Sequence, residues 1–524
     1  MPEENDAFSI EWEDPSHAGL AWQHDPVHSP DAVKPLSFDL ATMPFVAGFG
    51  WMAHDPILVN YYVYYPAAAP PAPSDDAPPP PPGTNDRLRE GGRRWLEKIL
   101  PEVQEKIDFY HDTDFDAMPD AALADEVHRL PDLRRHTGRQ HTQVTTPAYI
   151  AMTLLGQTYK ELVGGTELEA LRLVQGYGSK SIEAGEALWK VSALAKSQPA
   201  VRDRLLQDDV DANVLDGLTS VSEAAPFLEE FDAYLDEFGW RCGGEFSSPT
   251  WAEAPETPLA MLRAYMQTDG YDPVAEQRRL VEERDAAYEA AMAKLDPDAR
   301  TRLEDIVDAA RNVCRLMEDH NYWMDQRLAT LPRRLVLAAA RRLVAKSELE
   351  QEPDVWFLRG DELVGALRGE RSGVRETALE RGAEYERWRT VAPPRYIGAP
   401  PPEGADQEAP QAPAEMRGNE LRGNGSSEGV ARGPVRIVPE LTDAGRLRPG
   451  DVLVTVATLP PWTPLFAIAS AIVTETGGIL SHTAITAREY KLPAVLAVPG
   501  ATRLLKDGQL VEVDGTAGTV RVVG

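Results

Sequence analysis

A chain of 524 residues, 43% of them apolar, is too long for one hydrophobic core and suits roughly two to four domains. Its 84 acidic against 53 basic residues leave a net charge of −31, a surface that repels nucleic acid and anionic membrane, so neither is expected as a partner. Cys242 and Cys314 are the only cysteines, which excludes a disulfide framework and a Cys-rich zinc site and fits a reducing, cytoplasmic compartment.

The start, Met1-Pro2-Glu3-Glu4-Asn5-Asp6, is acidic and lacks the basic-then-apolar order of a signal peptide. His24 and His28 stand four apart with Asp25 between them, but nearby prolines argue against the helix that would turn that spacing into a metal site. A proline-rich insert over 66–83 includes five consecutive prolines, Pro78 to Pro82, and is expected to be exposed and partly extended. Helical periodicity then dominates: 87–109, 147–162, 167–196, 273–295 and 299–346 carry apolar residues at mixed three and four spacing. A second stretch, 393–415, mixes proline with alanine, glycine and acids and reads as a semi-stiff tether. At roughly 3.1 Å per residue, about twenty such residues reach about 60 Å when extended.

Beyond it the texture becomes β-rich, with short apolar runs at 434–438, 452–456, 471–474, 494–498, 510–513 and 519–522, and one helix from about Ser481 to Lys491. The longest apolar run there, Leu465 to Val473, is far too short to span a bilayer. The expected architecture is multidomain, α plus α/β. A large, mainly helical substrate-binding domain (1–392) and the proline-rich linker (393–415) precede a compact C-terminal β/β/α domain (416–524).

Within that last domain, Thr474-Glu475-Thr476-Gly477-Gly478-Ile479-Leu480-Ser481-His482-Thr483-Ala484 describes a buried strand, a flexible Gly-Gly turn and a helix start. His482 falls in the first helical turn, where free backbone N–H groups and the positive dipole end favour a dianionic phosphate. A neutral imidazole is a competent nucleophile, and an N–P bond stays reactive enough to pass its phosphoryl group on. Ser481 is a candidate cap or phosphate donor; Gly477 and Gly478 allow close backbone approach; Thr483 and Ala484 are small. The competing reading is a histidine that merely packs at a helix start. Arg488 and Glu489 lie about 9–10 Å further along the helix and are expected to make structural ion pairs.

The segment Gly477 to Val495, with Ala487-Arg488-Glu489 and Pro493-Ala494-Val495, resembles the phosphohistidine motif of the PEP-utilising enzymes, among them phosphoenolpyruvate synthase, pyruvate phosphate dikinase and rifampicin phosphotransferase. Thr483 departs from that pattern, since many members have alanine or glycine there. The flanks Ser426–Val435 and Asp507–Gly518 are similar as well. Earlier landmarks resemble the helical substrate domain of rifampicin-phosphotransferase-like proteins: Trp22…Asp25…His28…Pro35-Leu36, Phe238-Gly239-Trp240-Arg241…Glu245…Trp251, Glu318-Asp319-His320-Asn321-Tyr322-Trp323 and Asp354-Val355-Trp356.

The resemblance implies a swivelling domain whose His482 carries a phosphoryl group to a small organic substrate held in the helical domain. Arg241 suits bidentate phosphate contact and Glu245 the deprotonation of an acceptor hydroxyl; the alternative for both is a buried ion pair. His320, with Glu318 and Asp325, admits an acid–base or metal reading against that of a hydrogen-bonded core histidine, and no metal site is expected. Trp240, Trp251, Tyr322 and Trp323 either wall a pocket or fill the core.

Neither an ATP-grasp domain nor a Walker-type phosphate loop is recognisable. The expectation is therefore a separate ATP-grasp partner that uses ATP and Mg2+, much as in the split phenylphosphate synthase. The chain itself is expected to bind no cofactor strongly. Two alternatives stay open: isomerase or lyase chemistry in the helical pocket with altered, non-phosphoryl reactivity, and a non-catalytic regulatory or binding module.

Overall fold

The computed structural model describes residues 8–26, 29–67, 81–207, 213–242, 246–268, 270–402, 416 and 418–523. Glu245, His28, most of the first proline-rich stretch and 403–415 of the second lie outside them. Among the described residues, no helix is long and apolar enough to cross a membrane.

The N-terminal region is mostly helical and is organised on one helix, Asp120–Val163, of 44 residues. Two prolines, Pro131 and Pro147, lie inside it. Each removes a backbone donor, and packing on several sides carries the helix through them. The sequence pattern starts this helix only at Pro147, because proline ordinarily marks a first turn. The tightest packing is at Gly138, where a Cβ would lie 2.0 Å from the Phe45 carbonyl oxygen. Gly48 reciprocates: its Cβ would lie 2.2 Å from the Arg135 carbonyl oxygen. Only two glycines let these backbones cross so closely, and the crossing brings Phe45 and Phe49 against the long helix.

Two runs that read as single helices are interrupted. The 167–196 run splits into Glu167–Leu171 and Lys180–Ser197 at Gly176 and Gly178, both at positive φ. The 299–346 run becomes Pro297–Val313, Leu316–His320, a π-helical turn Asn321–Arg327, and Arg333–Ala345 after Pro332.

A small sheet absent from the sequence reading closes one end of this region. It comprises β1 (Ala21–His24), β2 (Ile57–Val59), β3 (Tyr62–Pro66) and β4 (Tyr396–Gly398), in the order β2-β3-β1-β4. Strand β4 falls within the proline-rich stretch and pairs antiparallel with β1. These strands are three to five residues long and aromatic-rich, too short for their alternation to stand out.

The C-terminal unit is a mixed sheet of eight strands, β5 (Glu420–Arg422), β6 (Asn424–Ser427), β7 (Val430–Ile437), β8 (Val452–Thr455), β9 (Ala471–Thr474), β10 (Ala494–Leu496), β11 (Leu510–Asp514) and β12 (Thr519–Val522), in the order β5-β12-β11-β7-β8-β9-β10-β6. The centre β7-β8-β9-β10 is parallel. Strands β8, β9 and β10 are buried along their whole length, as a sheet covered on both faces requires.

The two regions share a core, where an interface of few apolar residues is expected from the sequence. Val438, Leu441, Leu453, Trp462, Leu465 and Ile468 of the C-terminal unit join one apolar cluster with residues of the helices Lys180–Ser197, Ala225–Phe238 and Glu256–Gln267. Gly185 leaves room for Tyr490, whose hydroxyl would lie 2.3 Å from a Cβ at that position. Exposed ion pairs, Arg172–Glu428 and Lys491–Glu283, rim the contact and contribute little.

Candidate functional site

His482 is the first residue of the helix His482–Glu489, which follows β9 and the Gly477-Gly478 turn. Ser481 is the N-cap, extended at φ −69° and ψ 158°, with its Oγ accepting from the Ala484 N–H at 3.4 Å. The first intrahelical bond is that from the Ile485 N–H to the Ser481 carbonyl, so the N–H groups of His482 and Thr483 precede the ladder. Gly477 takes φ +110°, which a side chain there would strain, and Gly478 has open space around it. The Thr483 side chain turns inward, its hydroxyl 2.8 Å from that of Thr458.

The sequence reading expects the His482 ring to be exposed on the surface of its own unit; in the whole chain its side chain is 11% accessible, because the helical region covers it. The covering group is Glu318, whose Oε2 lies 2.7 Å from Nδ1 of His482 and which is itself 3% accessible. Ser181 donates to the same Oε2 at 3.3 Å, while Oε1 is buried without a partner among the described residues. The other ring nitrogen, Nε2, has the Thr463 hydroxyl 3.4 Å from it. Phe466 packs edge-on at 6.4 Å. A carboxylate that accepts from Nδ1–H fixes the tautomer in which Nε2 holds the free lone pair.

A cavity of about 60 Å³ opens beside Glu318 between the two regions, bordered by Met317, Cys314, Tyr177, Ile485, Arg488 and Glu489 among others. Burial pushes the Cys314 thiol up to about 12, so it lines the cavity as a neutral group. Burial likewise pushes the Glu489 carboxyl up to about 7, against the Gly176 N–H that donates to it at 3.0 Å and the Arg488 charge. Arg488 donates to the carbonyls of Ser426 and Ile479; burial lowers it to about 10, still cationic at neutral pH. These two residues thus brace the helix against its surroundings, though not by bonding each other.

The remaining sequence candidates do not gather in one place. Arg241 is 1% exposed among Phe238, Trp251 and Tyr322, its guanidinium 5.4–6.0 Å from the ring centres. None of its nitrogens has a hydrogen-bond partner among the described residues. Desolvation, only partly offset by Tyr234 and Tyr322, depresses its pKa. It packs as a cation in an aromatic cage and makes no ion pair among the described residues. Its proposed companion Glu245 lies outside the described residues. His320 follows Glu318 by two residues, roughly 200° round the helix, and faces away from His482. Its Nδ1 bonds the Leu316 carbonyl, its ring lies 4.8 Å from that of His141, and burial lowers its pKa. His24 is buried between Tyr62 and Tyr64 on β1, which excludes the helical His24/His28 pair.

Sequence reasoning missed Ser181, Thr463 and His141. Their roles arise from contacts across 137, 19 and roughly 180 residues, and nothing in their local sequence marks them.

Residues 140–318 match the rifampicin phosphotransferase fourth domain, and residues 447–518 match the mobile domain of PEP-utilising enzymes. Residues 447–518 thus carry a PEP-utilising mobile domain and residues 140–318 a rifampicin phosphotransferase fourth domain. Among its relatives is the uncharacterised phosphotransferase YvkC of Bacillus subtilis, 31% identical over 73% of this chain and 47% of that protein. The rifampicin phosphotransferase of Bacillus cereus is 30% identical over 65% of this chain and 39% of its own length. Chondramide synthase cmdD of Chondromyces crocatus is 32% identical over 98% of this chain but 14% of its own length. The chain thus spans less than half the length of each of these curated relatives.

Proposed function

We propose that the protein is a phosphotransferase component in which His482 Nε2 carries a phosphoryl group from a donor to a small organic acceptor. The observation that carries this reading is the 2.7 Å contact between His482 Nδ1 and Glu318. Glu318 holds the ring in the tautomer that leaves Nε2 nucleophilic, and it lies across the boundary between the C-terminal unit and the helical region. In the loading step, Nε2 attacks phosphorus, the N–P bond forms, and the P–O bond to the donor's leaving group breaks. In the delivery step, an acceptor hydroxyl attacks phosphorus, the N–P bond breaks, and the hydroxyl proton goes to a carboxylate. Glu318, which borders the cavity, is the base within this arrangement.

The donor in this proposal is a separate ATP-grasp protein using ATP and Mg2+. In this scheme the loaded unit travels between donor and acceptor sites. Arg241 and His320 support the helical fold around the site in this scheme; they do not touch the phosphoryl group.

The test is labelling. Incubated with ATP and an ATP-grasp partner, the protein gains one acid-labile, base-stable phosphate, and His482→Ala gains none. A second reading, isomerisation or elimination by the Glu318–His482 pair acting as acid and base, is favoured by the same dyad. Product formation without a phosphorylated intermediate, lost in both His482→Ala and Glu318→Gln, would put that reading ahead.

A further inference from the structure

On the face of the 316–330 segment turned away from His482, a second polar centre is built from three elements. His320 ends one helical stretch, Asp325 lies in the π-helical turn Asn321–Arg327 that follows it, and His141 comes from the long helix Asp120–Val163. One nitrogen of each imidazole and a carboxylate oxygen of Asp325 all lie within 4.8 Å of one another. We propose that His141, His320 and Asp325 form a binding site for one divalent transition-metal ion, held by two imidazoles and a carboxylate.

Four features point to an ion and not to a closed hydrogen-bond network. First, His320 is buried at 6% exposure, and its Nδ1–H is spent on the Leu316 carbonyl, so its Nε2 presents a lone pair to the centre. That lone pair faces Asp325 Oδ2 at 3.7 Å, an acceptor against an acceptor, with a cation the natural bridge. A backbone carbonyl on the outer imidazole nitrogen is also the usual support of a ligating histidine. Second, His141 Nε2 stands 3.4 Å from the same oxygen. Both separations exceed a good N–H···O bond of roughly 2.7–3.2 Å. Neighbouring ligands around a tetrahedral ion at about 2.0–2.2 Å stand about 3.3–3.6 Å apart, so small side-chain movements close the shell. Third, Oδ1 of Asp325 is buried without a partner among the described residues, open to a second ligand contact or an ion-bound water. Fourth, the π-helical turn supplies the offset that brings Asp325 onto the His320 face; such turns are frequent at functional sites.

The His141 ring is itself fixed. Phe49 stacks on it at 5.4 Å and Phe45 meets its edge at 5.3 Å, both placed by the Gly48–Gly138 crossing. The Arg134 guanidinium lies over Phe45 and its charge acts on Asp325. With one carboxylate, one nearby cation and two imidazoles, the centre disfavours Mg2+ and Ca2+, which take shells of oxygen ligands. It suits Zn2+, Co2+ or Fe2+.

The experiment uses the full chain, stripped with a chelator, dialysed, and reloaded with Co2+ or Zn2+ alone. Wild-type protein is expected to retain one ion per chain after desalting. Its Co2+ form is expected to show visible d–d bands of a nitrogen- and oxygen-ligated ion, and Zn2+ should raise its Tm. Asp325→Asn and His141→Ala are each expected to lose the retained ion and the thermal shift, whereas His111→Ala, outside the centre, keeps both. Absence of d–d bands and of a retained ion in the wild type would overturn the site, whatever the variants' folding. Undiminished binding in a folded Asp325→Asn or His141→Ala protein would overturn it equally.

Discussion

Replacing Glu318 and His482 singly and together measures what joins the two regions. The pair is 3% and 11% accessible and its atoms are 2.7 Å apart, so it is a charge-assisted hydrogen bond largely out of water. Such bonds contribute about 1.5–3 kcal/mol, more than an exposed ion pair, because little solvent competes for either partner. Glu318→Ala leaves the His482 Nδ1–H facing a vacated site, whereas Glu318→Gln retains a neutral acceptor. The loss should therefore be larger for alanine than for glutamine. In a double-mutant cycle of Glu318→Ala and His482→Ala, followed by urea unfolding, the coupling energy is expected to be about 1.5–3 kcal/mol. Ser181 and Thr463 contribute weaker contacts and should couple by less. A coupling below roughly 0.5 kcal/mol would show that the docked contact is not held by this bond, and the tautomer argument for Nε2 would fall with it.

Gly138→Ala drives a Cβ to 2.0 Å from a backbone oxygen, so it should lower Tm by several degrees, a loss of at least about 1–3 kcal/mol, read by thermal unfolding. Gly185→Leu places a side chain where the Tyr490 hydroxyl stands; phosphate labelling of His482 should survive while delivery to an acceptor falls, measured as two separate rates. Glu489 has its carboxyl pushed up to about 7 in the folded protein against an ordinary 4.5, so its neutral form favours the docked state. That contribution is complete below about pH 4.5 and is lost as pH rises through about 7. Glu489→Gln should flatten stability against pH in that window, and an unchanged slope would refute the assignment.

The legible parts of the chain are those fixed by local pattern. The 471–474 and 519–522 strands are seen as read, and the helix after the Gly-Gly turn starts one residue from the expected position. There, β-branched runs, an N-cap serine and a following proline each act within a few residues. The breaks in the long helical runs are less legible, because Gly176 and Gly178 read as helix glycines until their positive φ is seen. The candidate site divides the same way. His482 announces itself by its motif, whereas Glu318, 164 residues earlier, is a candidate in the sequence only as a companion of His320, and its contact with the imidazole is set by the fold. Arg241 shows the converse: a residue type suited to phosphate sits in an aromatic cage with no anion partner among the described residues.

The helix that begins at Leu316 joins the two centres in a way that composition cannot show. Glu318 faces the C-terminal unit, His320 faces the interior of the helical region, and the π-helical turn beginning at Asn321 aligns Asp325 with the second face. An alanine at Glu318 therefore removes a contact between regions, while one at His320 or Asp325 disturbs the helical region alone. If both centres serve one reaction, an acceptor must reach from the cavity beside Glu318 past the backbone of this segment. If they do not, the ion at His141, His320 and Asp325 anchors the long helix to the 316–330 segment and sets the position of Glu318 through the backbone. Metal removal separates these cases. Loss of delivery with the Glu318–His482 coupling intact indicates a shared reaction, and a fall in that coupling indicates an anchoring role.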